Sequence, residues 1–181
     1  MNNDILAYGN VVLRALEPED LDLLYEWEND SSLWELSNTK APFSRHILAS
    51  YLQNATPDIY EQKQVRLIIQ TLQGKAVGAV DLFDIDLFHQ RAGVGILIHK
   101  KEDRRHGYAS DALKAFENYA QEIVGVRQLY ANIAEDNSES IELFQKAGYH
   151  LTGIRKKWLN TLRGWKDEWF FQKILRDPPP Y

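Results

Sequence analysis

The stretch that most restricts the fold runs from Arg91 to Ala134. It reads RAGVGILIH, then KKEDRRHG, then YASDALKAFENYAQEIV, and after Gly125 and Val126 it closes with RQLYANIA. The first and last pieces are short and apolar, so each reads as a strand. The third repeats apolar residues at helical spacing, with Ala112, Ala115, Phe116 and Tyr119 on one face. A strand, a helix and a strand in that order form a crossover unit, and such a unit lays its two strands parallel. Gly93 and Gly95 weaken the first strand, and a bulge there would splay it from RQLYANIA and open a slot. Relief of crowding accounts for the same two glycines.

The rest of the chain supplies an antiparallel beginning and end. GNVVLRAL alternates and reads as a first strand. Pro18 opens PEDLDLLYEWEND at the helix position where its missing N–H costs nothing. Ser44 suits the N-cap of a second helix, SRHILASYLQNA. QVRLIIQTL, the turn QGK and KAVGAVDLFDI read as a hairpin. SESIELFQKAG reads as a short helix ended by Gly148 in the left-handed cap position. YHLTGIRKKWL and GWKDEWFFQKIL read as a last strand pair, joined around Asn160 and Gly164. The expected fold is α+β: a mixed, mostly antiparallel seven-stranded sheet flanked by about four helices, in the order β-α-α-β-β-β-α-β-α-β-β. With 181 residues, 44% of them hydrophobic, and neither repeat nor linker, the chain suits one domain over 1–181, ending in a Pro-rich tail over 176–181.

Composition removes several chemistries. The chain has no cysteine, which excludes disulfides, thiolate metal sites and a Cys nucleophile. His89, His99 and His106 lack metal-ligand spacing, so no metal is expected. A net charge of −5 argues against duplex nucleic acid as a partner and is compatible with a cationic substrate. The opening MNNDILAYGN is too polar for a secretory signal, and no apolar run is long enough to span a bilayer. A cytoplasmic protein without a membrane partner is the expectation.

The loop before the central helix carries the clearest chemical signal. Open sheets bind ligands beyond the carboxyl ends of strands, where neighbours diverge. A helix N-terminus there offers unpaired N–H groups and partial positive charge, which suit phosphate. Gly107 removes a Cβ from the approach, Ala109 is small, and Arg104 and Arg105 bring charge-assisted donors. RRHGYA is therefore able to cradle a pyrophosphate. It is neither a Walker loop nor a dinucleotide G-x-G-x-x-G. A solvated basic loop with a turn glycine accounts for the same residues, and the loop alone leaves both readings open.

Two motifs bear on that choice. Arg104-x-x-Gly107-x-Ala109 resembles the acyl-CoA motif R/Q-x-x-G-x-G/A of the GNAT N-acetyltransferase family. Asn137-Ser-Glu-Ser-Ile-Glu-Leu-Phe-Gln-Lys-Ala-Gly-Tyr149 resembles that family's later signature, N-x-x-[SA]-x-x-[LI]-[YF]-x-K-x-G-[FY]. The element order is similar too, and the resemblance runs from about Val11 to Leu175. Within the family the chain is similar to the branch that holds spermidine and diamine acetyltransferases and ribosomal-protein N-terminal acetyltransferases. HQRAGVGILI resembles the polyamine enzymes, while LRALEPEDLDLLYEWEND is shared by the branch.

The resemblance implies an acyltransferase that moves acetyl from acetyl-CoA, its cosubstrate, to a primary amine by direct attack. It places the pyrophosphate on the N–H groups of Arg105, His106, Gly107, Tyr108, Ala109 and Ser110. It lays the pantetheine along Ile96, Leu97 and Ile98 as an extra strand, with a backbone N–H of that segment polarising the thioester carbonyl. Asn137 and Lys146 match positions near the cofactor, although Asn137 also suits a plain N-cap. Phe144 stands where many relatives have the Tyr that protonates the thiolate, so a water, Tyr149 or Tyr108 is left for that task. For the amine, Asp84 and Asp81 of VDLFDIDLF are the favoured carboxylates, and Glu35 beside Trp34 is the second acidic candidate; a solvated strand end is the plainer reading. By alternation Asp84 and Asp86 share one face and Asp81 points to the other. The five Trp read mainly as core or sheet packing, with Trp34 the exception. The acceptor is a small-molecule amine, such as spermidine or a diamine, or a protein N-terminus. A non-catalytic acyl-CoA-binding sensor is the alternative, and Phe144 keeps it open. A homodimer is compatible with the resemblance.

Overall fold

The computed structural model describes residues 5–37, 39–54 and 58–176. The expected tail falls almost wholly outside these residues, as do Asn38 and the last residue of the second expected helix, Ala55. The chain forms two compact units. Residues 15–58 make a small helical unit, and the residues on either side of it make the sheet unit.

In the helical unit, Pro18–Asp20 form a 3₁₀ turn that leads into α1 (Leu21–Glu28). The turn of Trp34–Ser37 is α2, and Arg45–Gln53 is α3. Ser44 caps α3 as expected, its hydroxyl accepting from Ile47 N–H. Leu24, Leu33 and Leu48 are buried apolar side chains of this unit. Arg45 bonds Asp22 and lies over the Tyr25 ring at 4.4 Å, which ties α3 to α1.

The sheet unit holds β1 (Ala7–Tyr8), β2 (Val11–Arg14), the single turn α4 (Ile59–Gln62), β3 (Val65–Thr71), β4 (Ala76–Asp86) and β5 (Arg91–Ile98). Then come α5 (Tyr108–Tyr119) with a π turn to Val124, β6 (Gln128–Ala134), α6 (Ser138–Lys146), β7 (His150–Thr161) and β8 (Gly164–Ile174). The α+β class and element order hold, but the sheet has eight strands in the order β1-β2-β3-β4-β5-β6-β8-β7. The expected seven missed β1 because two residues are too few to alternate. A tight turn at Gly9 (φ +54°) folds β1 back on β2, and a Cβ there would lie 2.3 Å from the Asp111 carboxylate. Among the described residues four helices exceed one turn, as expected: α1, α3, α5 and α6. Among the described residues the one parallel pairing is β5 with β6, as the crossover requires.

Helix α5 buries its apolar stripe on one face of the sheet. Ala112, Leu113, Ala115 and Phe116 are fully buried against Val11, Leu13, Val80, Leu82 and Leu129. Each of the larger of these side chains, Leu113 and Phe116 among them, contributes about 2 kcal/mol by leaving water. Near the end of α5, Glu117 is buried too. Lys173 of β8 donates to its Oε2 at 2.6 Å and to Ala147 O at 2.7 Å, so one ammonium ties α5, the end of α6 and β8 together. Tyr149 sits in the same place, 2% exposed and edge-on to Phe144 at 4.9 Å.

The bulge lies in β4, opposite Ala92, and not in β5. Phe83 pairs with Gly93 and Asp86 with Arg91, so Asp84 and Ile85 together face Ala92. The reason is local. Leu82 and Ile85 both enter the core, which alternation forbids for an odd separation, and Asp84 takes up the extra residue at φ +49°. This also corrects the expected faces. Asp81, Phe83 and Asp84 all lie on the side away from α5. Phe83 meets Tyr130 edge-on at 5.9 Å there, and Asp84 bonds the same tyrosine.

Lys173→Ala would leave the buried Glu117 carboxylate without its close cation. We expect a loss of about 3 kcal/mol, read as a lower thermal midpoint, because removing one partner of a buried pair costs far more than the pair contributes.

Candidate functional site

The pairing of β5 with β6 stops early. It runs from Arg91↔Gln128 to Gly93↔Tyr130, although β5 continues to Ile98 and β6 to Ala134. Beyond Gly93 the two strands part, and β5 stays paired only with β4, from Phe83↔Gly93 to Gly78↔Ile98. The slot expected between them is present. Its cause is not a bulge in β5 at the glycines: the register shift lies on β4 between Phe83 and Asp86, and from Gly93 to Ile98 β5 is in regular register with β4. Gly93 is fixed by packing: a Cβ there would stand 2.1 Å from the Phe83 ring. Relief of crowding is therefore what Gly93 does.

The ladder decides which backbone groups face the slot. His99 N–H donates to Val77 O at 3.0 Å. In an antiparallel pair, bonded and non-bonded positions alternate. Leu97 and Gly95 therefore turn their N–H and C=O toward β4, while Ile96 and Ile98 turn theirs toward the slot. Arg104 takes one of them, its Nε donating to Ile98 O at 3.2 Å. What remains is a strand edge with donors and an acceptor available to an extended ligand.

At the upper end of β5 the chain enters the loop before α5. Lys101–Asp103 form a 3₁₀ turn, and Lys75 pairs with the buried Asp103 at 2.5 Å, which anchors the loop to the β3–β4 hairpin. Arg105 and Gly107 both adopt left-handed backbone, φ +64° and +83°. Gly107 is the N-cap of α5, no side chain caps the helix, and a Cβ on Gly107 would meet nothing within 4 Å. The first-turn N–H groups thus open onto clear space, which suits an anion. Of the expected cradle, Arg105, His106, Gly107 and Ser110 are exposed, and Tyr108 and Ala109 are half-buried. The loop's own architecture engages two of its basic side chains. Arg104 donates to Ile98 O and His99 O and lies 3.4 Å from Glu139, and His106 Nε2 meets Glu102 O.

The other predicted residues fall into place unevenly. Asn137 caps α6 through Ser140 N–H, and Lys146 pairs with Glu142 on the exposed side of that helix. Phe144 is 3% exposed and packs in the core. Tyr149 is not placed to serve as an acid. Its hydroxyl is buried beside Glu117, and burial first, then that carboxylate, holds it well above the usual tyrosine range. Tyr108 stacks on His106 at 5.6 Å. Glu35 lies on α2 and Trp34 donates to Glu28 O, both inside the helical unit. Trp158 and Trp165 are exposed at 59% and 62%, unlike the packing role expected for most Trp.

The carboxylates of β4 sit on the face away from α5. Asp81 faces Arg66 on β3, whose Nε donates to it at 2.6 Å. Asp84 is exposed at the bulge and accepts from Tyr130 Oη at 3.2 Å. Asp86 accepts from His89 N–H and Arg91, and these partners hold its carboxyl below the usual range. A cavity of about 470 Å³ opens beside them, lined by Ile59, Lys63, Asp84, Ile85, Asp86 and Leu87. Tyr130 is the site residue that sequence reasoning passed over. Its phenol is pushed up to about 12 by burial first and then by Asp84. The signal was present: in QLYANIA, Leu129, Ala131 and Ile133 enter the core, so Tyr130 and Asn132 must face the other way. Among the described residues no three His, Cys, Asp or Glu are grouped to hold a metal ion, and no helix is long and apolar enough to cross a membrane.

Known proteins share this layout. Residues 10–150 match the acetyltransferase (GNAT) domain family. The spermidine N(1)-acetyltransferase of Escherichia coli strain K12 is 27% identical over 144 residues, covering 80% of this chain and 75% of that protein. Its counterpart in Vibrio cholerae is 23% identical over 141 residues, covering 78% and 79%. The crystal structure of a Vibrio cholerae spermidine N-acetyltransferase with CoA and spermine superposes with a TM-score of 0.81 at 20% identity, over 92% of this chain and 96% of that one. At that identity the likeness is one of fold.

Gly93→Ala should displace Phe83 and cost about 2 kcal/mol as an overpacking change. Urea denaturation checks it, and the expected result is a lower midpoint at an unchanged slope.

Proposed function

The chain belongs to the GNAT acetyltransferase family, and from that premise we propose that it transfers acetyl from acetyl-CoA to a primary amine, with a polyamine such as spermidine as acceptor. The observation that carries the reading is the open edge of β5 leading up to an uncapped helix N-terminus. One end suits an extended amide-containing arm and the other suits a pyrophosphate, at the two ends of one continuous path.

The residues divide the work as follows. N–H groups from Arg105 to Ser110 hold the pyrophosphate, and Arg105 adds charge. Arg104 acts differently from the expectation: it braces the loop against the end of β5 instead of reaching outward. Ile96 and Ile98 hold the arm along β5, and one of their N–H groups takes the developing charge on the thioester oxygen. Acetyl-CoA brings an activated carbonyl and a good leaving group. The amine nitrogen bonds to the carbonyl carbon, the carbon–sulfur bond breaks, the nitrogen sheds its remaining extra proton to water, and the departing thiolate takes one up from water. The amine reaches the site as ammonium, and its proton passes to Asp84 and on to water. Asp84 is preferred to Asp81 because Arg66 already occupies Asp81. The exposed Asp84 carboxylate at this cavity gives a cationic acceptor a counter-charge, and that favours a polyamine over a neutral acceptor.

A binder without turnover would keep the same cradle and the same open edge. Phe144 favours it, because the position that matches the family's hydroxyl is apolar and buried. Release of free CoA thiol from acetyl-CoA with spermidine, putrescine, N-terminal peptides and amino sugars separates the two. We expect turnover with a polyamine; CoA binding without turnover of any amine overturns the enzyme reading.

Two variants test the assignments. Gly107→Val places a side chain in the space before the helix N-terminus, and calorimetry should show CoA affinity lowered at least tenfold, about 1.4 kcal/mol. Asp84→Asn should lower kcat at least tenfold and leave CoA affinity unchanged. Normal turnover would mean that another group receives the proton.

A further inference from the structure

We propose that Tyr130 is a positioning residue that fixes the Asp84 carboxylate for the incoming amine; the proposal rests on the reading of Asp84 given above. Asp84 is exposed on a bulge with left-handed backbone, a setting in which a short side chain has several orientations open to it. The Tyr130 hydroxyl donates to its Oδ2 at 3.2 Å. This bond crosses a whole strand. Tyr130 is on β6 and Asp84 on β4, with β5 between them, and the residue of β5 beside both Phe83 and Tyr130 is Gly93. The missing side chain there leaves room for the two rings to meet above it.

The phenol is itself held. Phe83 packs edge-on to it at 5.9 Å, and Phe170 of β8 stacks on it at 5.2 Å with the ring planes 20° apart. Arg155 lies over Phe170 at 5.3 Å and pairs with Glu168. Arg91 and Arg155 are the cations near the phenol, and Asp84 is its anion; the phenol keeps its proton at neutral pH and donates a hydrogen bond to Asp84. The pair also stands at the right place. Gly93↔Tyr130 is the last pairing before β5 and β6 part, so the carboxylate is held beside the closed end of the slot. With Oδ2 bound, Oδ1 is left to accept from the amine. A catalytic group fixed this way loses little freedom when the acceptor arrives.

The test is a double-mutant cycle in the full chain, with spermidine and acetyl-CoA as substrates and thiol release as the readout. Tyr130→Phe removes only the hydroxyl and keeps the stacked ring. The expected result is a fall of about tenfold in kcat/KM for spermidine, with CoA affinity by calorimetry unchanged. In an Asp84→Asn background the same change should have no further effect. Tyr130→Phe with full activity overturns the proposal. So does an equal loss in both backgrounds, which would show that Tyr130 acts on its own, and so does a matching loss of CoA affinity, which would show a packing role. Normal turnover by Asp84→Asn alone, or none by the unaltered protein, overturns the underlying reading instead.

Discussion

The three-residue pairing between β5 and β6 is the constraint on which the rest depends. Parallel strands in a sheet ordinarily stay together, because each unpaired backbone group forfeits a hydrogen bond. Here they part after Gly93 and Tyr130. The cost is two strand edges left without a strand partner on the facing sides, that of β5 over Ile96 and Ile98 and that of β6 beyond Tyr130. The consequence is an elongated site whose polar groups are backbone atoms, set at strand spacing by the ladder with β4. A ligand with its own amide groups can close the β5 edge.

The elements around the slot keep it open by being rigid. Helix α5 is seated in the core by Ala112, Leu113, Ala115 and Phe116, and Lys173 ties its far end to β8 through Glu117. Its N-terminus is fixed by the loop that Arg104 and the Lys75–Asp103 pair brace. On the opposite face, Phe83, Tyr130 and Phe170 form a row of rings across β4, β6 and β8. Both sides of the slot are thus built from packed side chains, and the reacting groups are set against them. A site preformed in this way spends little binding energy on ordering itself.

Much of the fold was legible in local pattern. The crossover, the hairpin over β3 and β4, the Ser44 cap and the Gly148 cap all follow from periodicity and turn chemistry, and the structure has each of them. The Gly107 loop was legible for the same reason. What escaped depends on contacts between distant residues. No run of residues announces that Ile85 will follow Leu82 into the core and throw Asp84 onto the Asp81 side of β4. Nothing in the sequence shows that the end of β5 lies within reach of Arg104. Tyr130 faces Asp84 only because the strand between them carries glycine. Residue type set the candidates, and the sheet order decided which of them meet.

Amide hydrogen exchange over β5, with and without CoA, tests the central claim most directly. The ladder turns Ile96 and Ile98 toward the slot and Leu97 toward β4. Bound CoA should therefore slow exchange at Ile96 or Ile98 strongly and leave Leu97, already bonded within the sheet, nearly as it was. Protection confined to the first turn of α5, with Ile96 and Ile98 exchanging as before, would contradict the account, because the ligand would then be held by its phosphates alone.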